Sequence, residues 1–511
     1  MCGIALIPAA GNTAFATSGD ETQTPSETED PSSPSSQDED VVKPAVIEDG
    51  MYTIESVGSS DSFLSVKKES VEADAVAVMA DENEVSWSQK WLVVQDVNSG
   101  YYTIRNLASR MFLSVSGTAK SGASLKQVET VSSKRQLWDP VKKSGGIQFR
   151  SVLAPKLALC AVEGSSSNPK LRLKPTKNVK AQKFKLATTD ALEDGRSYFI
   201  SSVSTPKKGL GVKGNSTKNK AKIELQKRST GKSQKFRLTK VGKAWRMQCV
   251  KSCKFASAQG KTLKQVSKAS GKARKWRIEV DPYTAAFTIC SVAKGTYVST
   301  SAGELALKAQ AKANTKAEKA QRFLLTATYG FTVFLDAGHG KNAAGWGVYD
   351  PGAPGSGYDE ADLTKDLTKR IEEQLEGSDV RVFNGSNYSV PYTQRNTKAK
   401  SLGCDVVLSV HFDAGGGTTT STTVGTHGAA GSSTFNSIIH RKLVSSVGLR
   451  DGGTMHRSDL YVVNGKVPAV LMEVCFIDNW SSLNTYLKRR NTVAASLAEG
   501  IIEASYEPAL Q

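Results

Sequence analysis

Phe331-Thr332-Val333-Phe334-Leu335 runs directly into Asp336-Ala337-Gly338-His339-Gly340. The first five residues, apolar and β-branched, read as a strand. The glycines on either side of His339 end it and leave an imidazole where the strand runs out. A Gly-rich loop through Pro351, Pro354 and Gly357 follows. Glu360 then opens a helix with Leu363, Leu367, Ile371 and Leu375 on one face. Val380-Arg381-Val382-Phe383 reads as the next strand, with a helix near 393–402. Val406-Val407-Leu408-Ser409-Val410 is a buried strand that His411 ends. A short polar Gly/Thr loop over 412–433 precedes a helix near 435–447. Ala469-Val470-Leu471-Met472 is a further apolar strand carrying Glu473 at its end, and helices at 481–487 and 492–504 close the segment. Strands alternating with helices imply an α/β layered domain. In open α/β sheets the edge where strands run out forms the ligand crevice, and His339, His411 and Glu473 all lie there, with Glu360 able to face it. Two His and one Glu make a catalytic zinc set with a fourth position open to water, and a further carboxylate can take a proton from that water. These residues alone leave open which of Glu360 and Glu473 is ligand and which is base.

The preceding segment is of another kind. One motif recurs as Gln89-Lys90-Trp91, Gln136-Leu137-Trp138, Gln182-Lys183-Phe184, Gln234-Lys235-Phe236, Arg274-Lys275-Trp276 and Gln321-Arg322-Phe323. An alternating element precedes each repeat's signature, as in Tyr52-Thr53-Ile54, Tyr102-Thr103-Ile104 and Phe287-Thr288-Ile289. Short strands follow, such as Phe63-Leu64-Ser65-Val66 and its near copy Phe112-Leu113-Ser114-Val115. Each unit is about four short strands, too small to bury its own core, so the repeats must share cores. Six of them suggest two threefold barrels, with the signature aromatics packed inside.

Charge divides the 511-residue chain in the same places. Residues 1–50 carry net −9, residues 51–330 net +30 and residues 331–511 net −3. The middle segment is therefore suited to an anionic partner and the last is not. Within the basic segment, 51–100 carry net −6 and 201–250 net +13. The first repeat should therefore face away from such a partner and the second barrel should dominate attachment. A recognised nucleic-acid motif is missing, so an anionic polymer other than nucleic acid is preferred. No apolar run of about 18 residues exists, which excludes an ordinary membrane-spanning helix.

Residues 1–16 end in Ala14-Phe15-Ala16, the small-x-small form of a signal peptidase site, without a basic n-region; this reads as a truncated secretory signal. Residues 17–45, Ser, Thr, Pro, Asp and Glu with almost nothing apolar before Val41, read as an acidic disordered linker. Without Cys2 six cysteines remain, an even number that permits disulfides but specifies no pairing. Cys249 and Cys253 do not make a zinc site, because residues 51–330 hold no His to complete one.

Two resemblances follow from these motifs. The Gln-x-Trp/Phe signature resembles the ricin-type β-trefoil family over 46–188 and 189–328; there the aromatic packs in the shared core and the Gln supports a turn. Sugar binding in that family uses an early-loop Asp and a stacking aromatic, whereas Lys and Ser hold most of those positions here. The segment 329–511 resembles the zinc-dependent N-acetylmuramoyl-L-alanine amidases of the amidase-3 type. The match lies in Asp336 to Gly340, Glu360 with Asp362-Leu363-Thr364, Ser409-Val410-His411, Asp459 to Val463, and Met472 to Asn479. The resemblance implies that His339, Glu360 and His411 bind Zn²⁺ and that Glu473 is the catalytic carboxylate. It further implies a multidomain chain, two all-β trefoil-like domains followed by an α/β zinc amidase domain, secreted and associated with a bacterial cell wall. Its substrate would be the amide between N-acetylmuramic acid and L-alanine of peptidoglycan. A wall-binding lectin or adhesin with a non-catalytic amidase-like domain, and a zinc peptidase of other bond specificity, are the alternatives. Nothing in the sequence specifies an oligomeric state. His427 and His440 read as structural, His456 as the better candidate for substrate contact, and Asn396 as structural.

Overall fold

The computed structural model describes residues 46–511 apart from 84–85, 98, 132, 163–168, 282–283, 301–303, 313–314, 346 and 426–427. The readings of 1–16 and 17–45, and of His427, fall outside the described residues. The chain forms two compact units. One holds the described residues up to Glu82 with Ser88–Thr189; the other holds Asn83–Trp87 and Asp190–Gln511.

The first unit is one twelve-stranded antiparallel sheet, and residues 197–328 of the second unit build another. Each repeat supplies four strands, because the alternating segments are too short to close a core singly. Burial explains the signature. Trp91, Trp138, Phe184, Phe236, Trp276 and Phe323 are all sealed from solvent. Three of the indoles also find partners: Trp91, Trp138 and Trp276 donate Nε1–H to the carbonyls of Leu64, Leu113 and Ala256. Four of the Gln residues end a one-turn 3-10 helix. Gln89, Gln182, Gln234 and Gln321 each donate Nε2–H to a carbonyl seven to twelve residues earlier, namely those of Asp81, Pro175, Lys227 and Ala309. The amide thus ties each turn to the preceding strand or loop. All six described cysteines are free.

The rest of the second unit is a six-stranded sheet with helices. Its strands are β1 (Phe331–Ala337), β2 (Val380–Asn384), β3 (Val406–Asp413), β4 (Thr419–Gly425), β5 (Arg450–Arg457) and β6 (Ala469–Phe476), in the order β2-β1-β3-β6-β4-β5. β1 is parallel to β2 and β3, β3 is parallel to β6, and β4 runs antiparallel to β6. The helices are α1 (Glu360–Gln374), α2 (Arg395–Ser401), α3 (Ser432–Val447) and α4 (Trp480–Ala504). Leu363, Leu367 and Ile371 of α1 join Ile439 and Leu443 of α3 and Leu497 and Ile501 of α4 in one core against the sheet.

Three details differ from the sequence reading. The polar stretch 412–433 contains β4: its run of Thr and Ser around Ser421 hides the alternation, yet β-branched residues suit a strand. The Gly-Gly segment before His456 is edge strand β5, almost wholly exposed, so no hydrophobic period marks it. The two closing helices are one helix, α4, since Lys488-Arg489-Arg490-Asn491 is a polar stretch without Gly or Pro and not a break.

The second twelve-stranded sheet is locked to this α/β part by buried charge. Asp379, just before β2, forms a 2.8 Å ion pair with Arg237, their side chains only 7% and 2% exposed. Asp379 also accepts hydrogen bonds from the N–H and Oγ–H of Ser197 and from the N–H of Gly330. Arg237 donates further to the Ser505 carbonyl and Oγ and lies 4.0 Å from the Tyr506 ring centroid. Lys232 pairs with Asp405 at 2.7 Å.

Candidate metal centre

β1 and β3 are neighbours, but the chain leaves β1 toward β2 and leaves β3 toward the opposite edge of the sheet, so a crevice opens between their carboxyl ends. His339 follows β1, His411 stands near the end of β3, and Glu360 is the first residue of α1, carried back over the same edge. His339 Nε2 lies 3.0 Å from Glu360 Oε2, and His411 Nδ1 lies 3.0 Å from Glu360 Oε1. One donor atom from each of the three falls within 4.8 Å of the others. The imidazole rings stand nearly perpendicular, their centroids 5.1 Å apart.

The loop geometry is demanding. His339 has φ +61°, a left-handed conformation costly for a residue with a Cβ. It is held by its neighbours. Arg395, at the start of α2, donates to the carbonyls of Ala337 and His339, and its guanidinium pairs at 3.0 Å with Asp336, which also accepts from Ser409 Oγ. Asp350 bonds His339 Nδ1 at 2.9 Å, which fixes Nε2 as the atom facing the cluster. Gly352, at φ +72°, admits no side chain: a Cβ there would stand 2.7 Å from both Glu360 Oε2 and His339 Cδ2. Gly338 is equally obligatory, since its Cβ would lie 2.6 Å from His411 Cε1.

Glu473 sits opposite His411 on the adjacent strand β6. Its Oε2 is buried with no hydrogen-bond partner among the described residues. Burial pushes its carboxyl up to about 7. Glu360 moves the other way: burial opposes it, but hydrogen bonds with His339 and His411 hold it well below the usual carboxylate range. For His339 burial works downward, and the bonds to Glu360 and Asp350 outweigh it, raising the ring to about 9. One carboxylate is thus engaged by two imidazoles, and the other is half-buried with one oxygen, Oε2, left without a partner among the described residues. Donor set, spacing and the cradle kept open by Gly352 and Gly338 all fit a divalent cation of zinc's ligand preference.

The other singled-out residues lie apart from this cluster. His440 bonds Thr422 Oγ1 and pairs with Asp451 at 2.9 Å. His456 is exposed on β5. Asn396 is buried and bridges the loop before β6, donating to the carbonyls of Val462 and Val467 and accepting from the Val467 N–H. Asp350 and Arg395 are the site residues that the sequence reading missed. Asp350 stands in an irregular Gly/Pro loop with no motif. Arg395 follows a turn and lies 56 residues from the carbonyl it braces.

Residues 333–503 match the family model described as N-acetylmuramoyl-L-alanine amidase. That segment is similar to the amidases of bacterial cell walls. The sporulation-specific N-acetylmuramoyl-L-alanine amidase of Bacillus subtilis (strain 168) is 29% identical over 172 residues, covering 33% of this chain and 64% of that protein. The endolysin of Bacillus phage SPP1 is 31% identical over 183 residues, covering 34% of this chain and 65% of that protein. The chain thus spans under two thirds of the length of these relatives. The catalytic domain of an N-acetylmuramoyl-L-alanine amidase from Bacillus (Paenibacillus) polymyxa aligns with 34% of this chain and 97% of its own, at 26% identity and TM-score 0.30. Upstream of the amidase-like segment, residues 87–173 match the model described as ricin-type beta-trefoil lectin domain-like.

Proposed function

We propose that this chain is an exported peptidoglycan hydrolase that cleaves the amide joining N-acetylmuramic acid to the L-alanine of the stem peptide. The observation that carries the reading is the His339–Glu360–His411 cluster with the half-buried Glu473 opposite His411 on the next strand, at the strand ends of an amidase-like segment. His339, Glu360 and His411 would hold Zn²⁺, which when bound polarises a carbonyl and acidifies a water. Glu473, near neutral in proton affinity and with its Oε2 unpartnered among the described residues, takes the proton of the attacking water and returns it to the leaving amine. Asp350 and Arg395 keep His339 aimed while this happens. Glu360, held ionised by two imidazoles, is unsuited to carrying the proton, which supports its role as ligand.

The divisions 46–188, 189–328 and 329–511 are proposed as two β-trefoil domains and the catalytic domain. Exposed Lys207, Lys208, Lys213, Lys218, Lys220 and Lys227 stud the second and support attachment to an anionic wall polymer, which raises the local concentration of substrate. Mass spectrometry of muropeptides released from purified walls tests the reading. Free stem peptides should appear, vanish after verified removal of metal by chelator, and return with zinc. Activity undiminished without metal, or new reducing sugar ends, would overturn it.

A further inference from the structure

The loops after β1 and β2 wall a cavity of about 340 Å³ that His339 lines. This size is in the range of small-ligand sites, and the cavity shares His339 with the three-residue cluster. Its other lining groups include Lys341, from the loop after His339, and Lys365, one turn into α1. Both lysines are exposed, and neither has an ion-pair partner among the described residues. The lining aspartates are Asp336, already paired with Arg395, and Asp362, three residues before Lys365 on the same helix. The unpaired charge lining the cavity is therefore net positive, against the net −3 of residues 331–511. Tyr349, Ser386 and Tyr388 also line it.

We infer that this cavity is the subsite for the peptide half of the substrate, with Lys341 and Lys365 reading the α-carboxylate of the stem glutamate. The inference rests on the amidase reading. Of the two halves that flank the scissile amide, the sugar side is an uncharged polyol and the peptide side carries carboxylates, so charge complementarity selects the peptide. The lysines are long and mobile, and they supply charge selection rather than a rigid fork.

Calorimetric titration of the full chain with two peptides tests this. One is the free acidic tripeptide L-Ala-γ-D-Glu-L-Lys, and the other is the same peptide amidated at the glutamate α-carboxylate. The acidic form should bind more tightly. Lys341→Met and Lys365→Met should each weaken it about two- to fivefold, as exposed ion pairs do, and together about tenfold. Neither should change binding of the amidated form. Circular dichroism identical to wild type, with Lys→Gln variants in parallel, separates a lost subsite from a lost fold. Equal binding of the two peptides, no binding of either, or lysine variants with wild-type affinity would overturn the subsite. Release of stem peptide from walls is read separately. Peptide release with no lysine effect removes the subsite alone, whereas lysine-dependent binding without peptide release removes the amidase reading.

Discussion

Asp379→Ala should be strongly destabilising although it lies outside the candidate metal centre. It removes one partner from the buried ion pair with Arg237 and leaves a guanidinium that is only 2% exposed without its counter-charge. It also strands the Ser197 N–H and Oγ–H and the Gly330 N–H that Asp379 accepts. Breaking a buried pair in this way costs about 3–5 kcal/mol. At about 2–4 °C per kcal/mol for a large domain, the transition of the unit containing residues 190–511 should fall by roughly 6 °C or more. Differential scanning calorimetry of the full chain reads it. The double variant Arg237→Met, Asp379→Leu discriminates the cause: with both charges replaced by apolar groups of similar size, the desolvation penalty vanishes with the attraction, and much of the loss should be recovered. A shift under about 2 °C for Asp379→Ala, or a double variant as damaged as the sum of the singles, would refute the inference that this charge network joins the second twelve-stranded sheet to the α/β part.

The metal centre yields sharper expectations. Glu473→Gln should retain zinc, measured by mass spectrometry or absorption, and lose turnover by roughly 10²–10⁴-fold if it moves the proton; His411→Ala should lose the metal as well. If Glu473→Gln sheds zinc while Glu360→Gln keeps it, the two carboxylates have exchanged roles. Asp350→Asn should weaken zinc binding by about 10–100-fold, as loss of a carboxylate that orients a ligating histidine does; unchanged metal affinity would leave Asp350 a mere loop residue. Wall binding by the chain should decline with added salt, because the Debye length shrinks from about 8 Å at physiological strength to about 3 Å at 1 M. Pull-down on walls with and without their anionic polymer reads this, and salt-insensitive binding displaced by simple sugars would point to working lectin pockets instead.

What sequence alone determined here is whatever repeats or alternates locally. The Gln-x-Trp/Phe signature, with Arg274 in place of Gln in one repeat, marked six four-stranded units because burying an aromatic ring and tying down a turn need such residue types at that spacing, and Trp91, Trp138 and Trp276 are buried as the pattern requires. His339, Glu360, His411 and Glu473 were legible because each stands where a hydrophobic period starts or stops. Strands β4 and β5 were not legible, since Thr-rich and Gly-rich stretches carry no apolar alternation. The tertiary structure alone decided that Asp350 holds His339, that Arg395 braces the loop beneath it, that Glu473 Oε2 is sealed from water, and that Arg237 meets Asp379 across 142 residues of chain. A charged residue looks solvated in any local window. Whether it is paired, buried or orphaned depends on which distant strand end folds over it, and that is a property of the packed molecule.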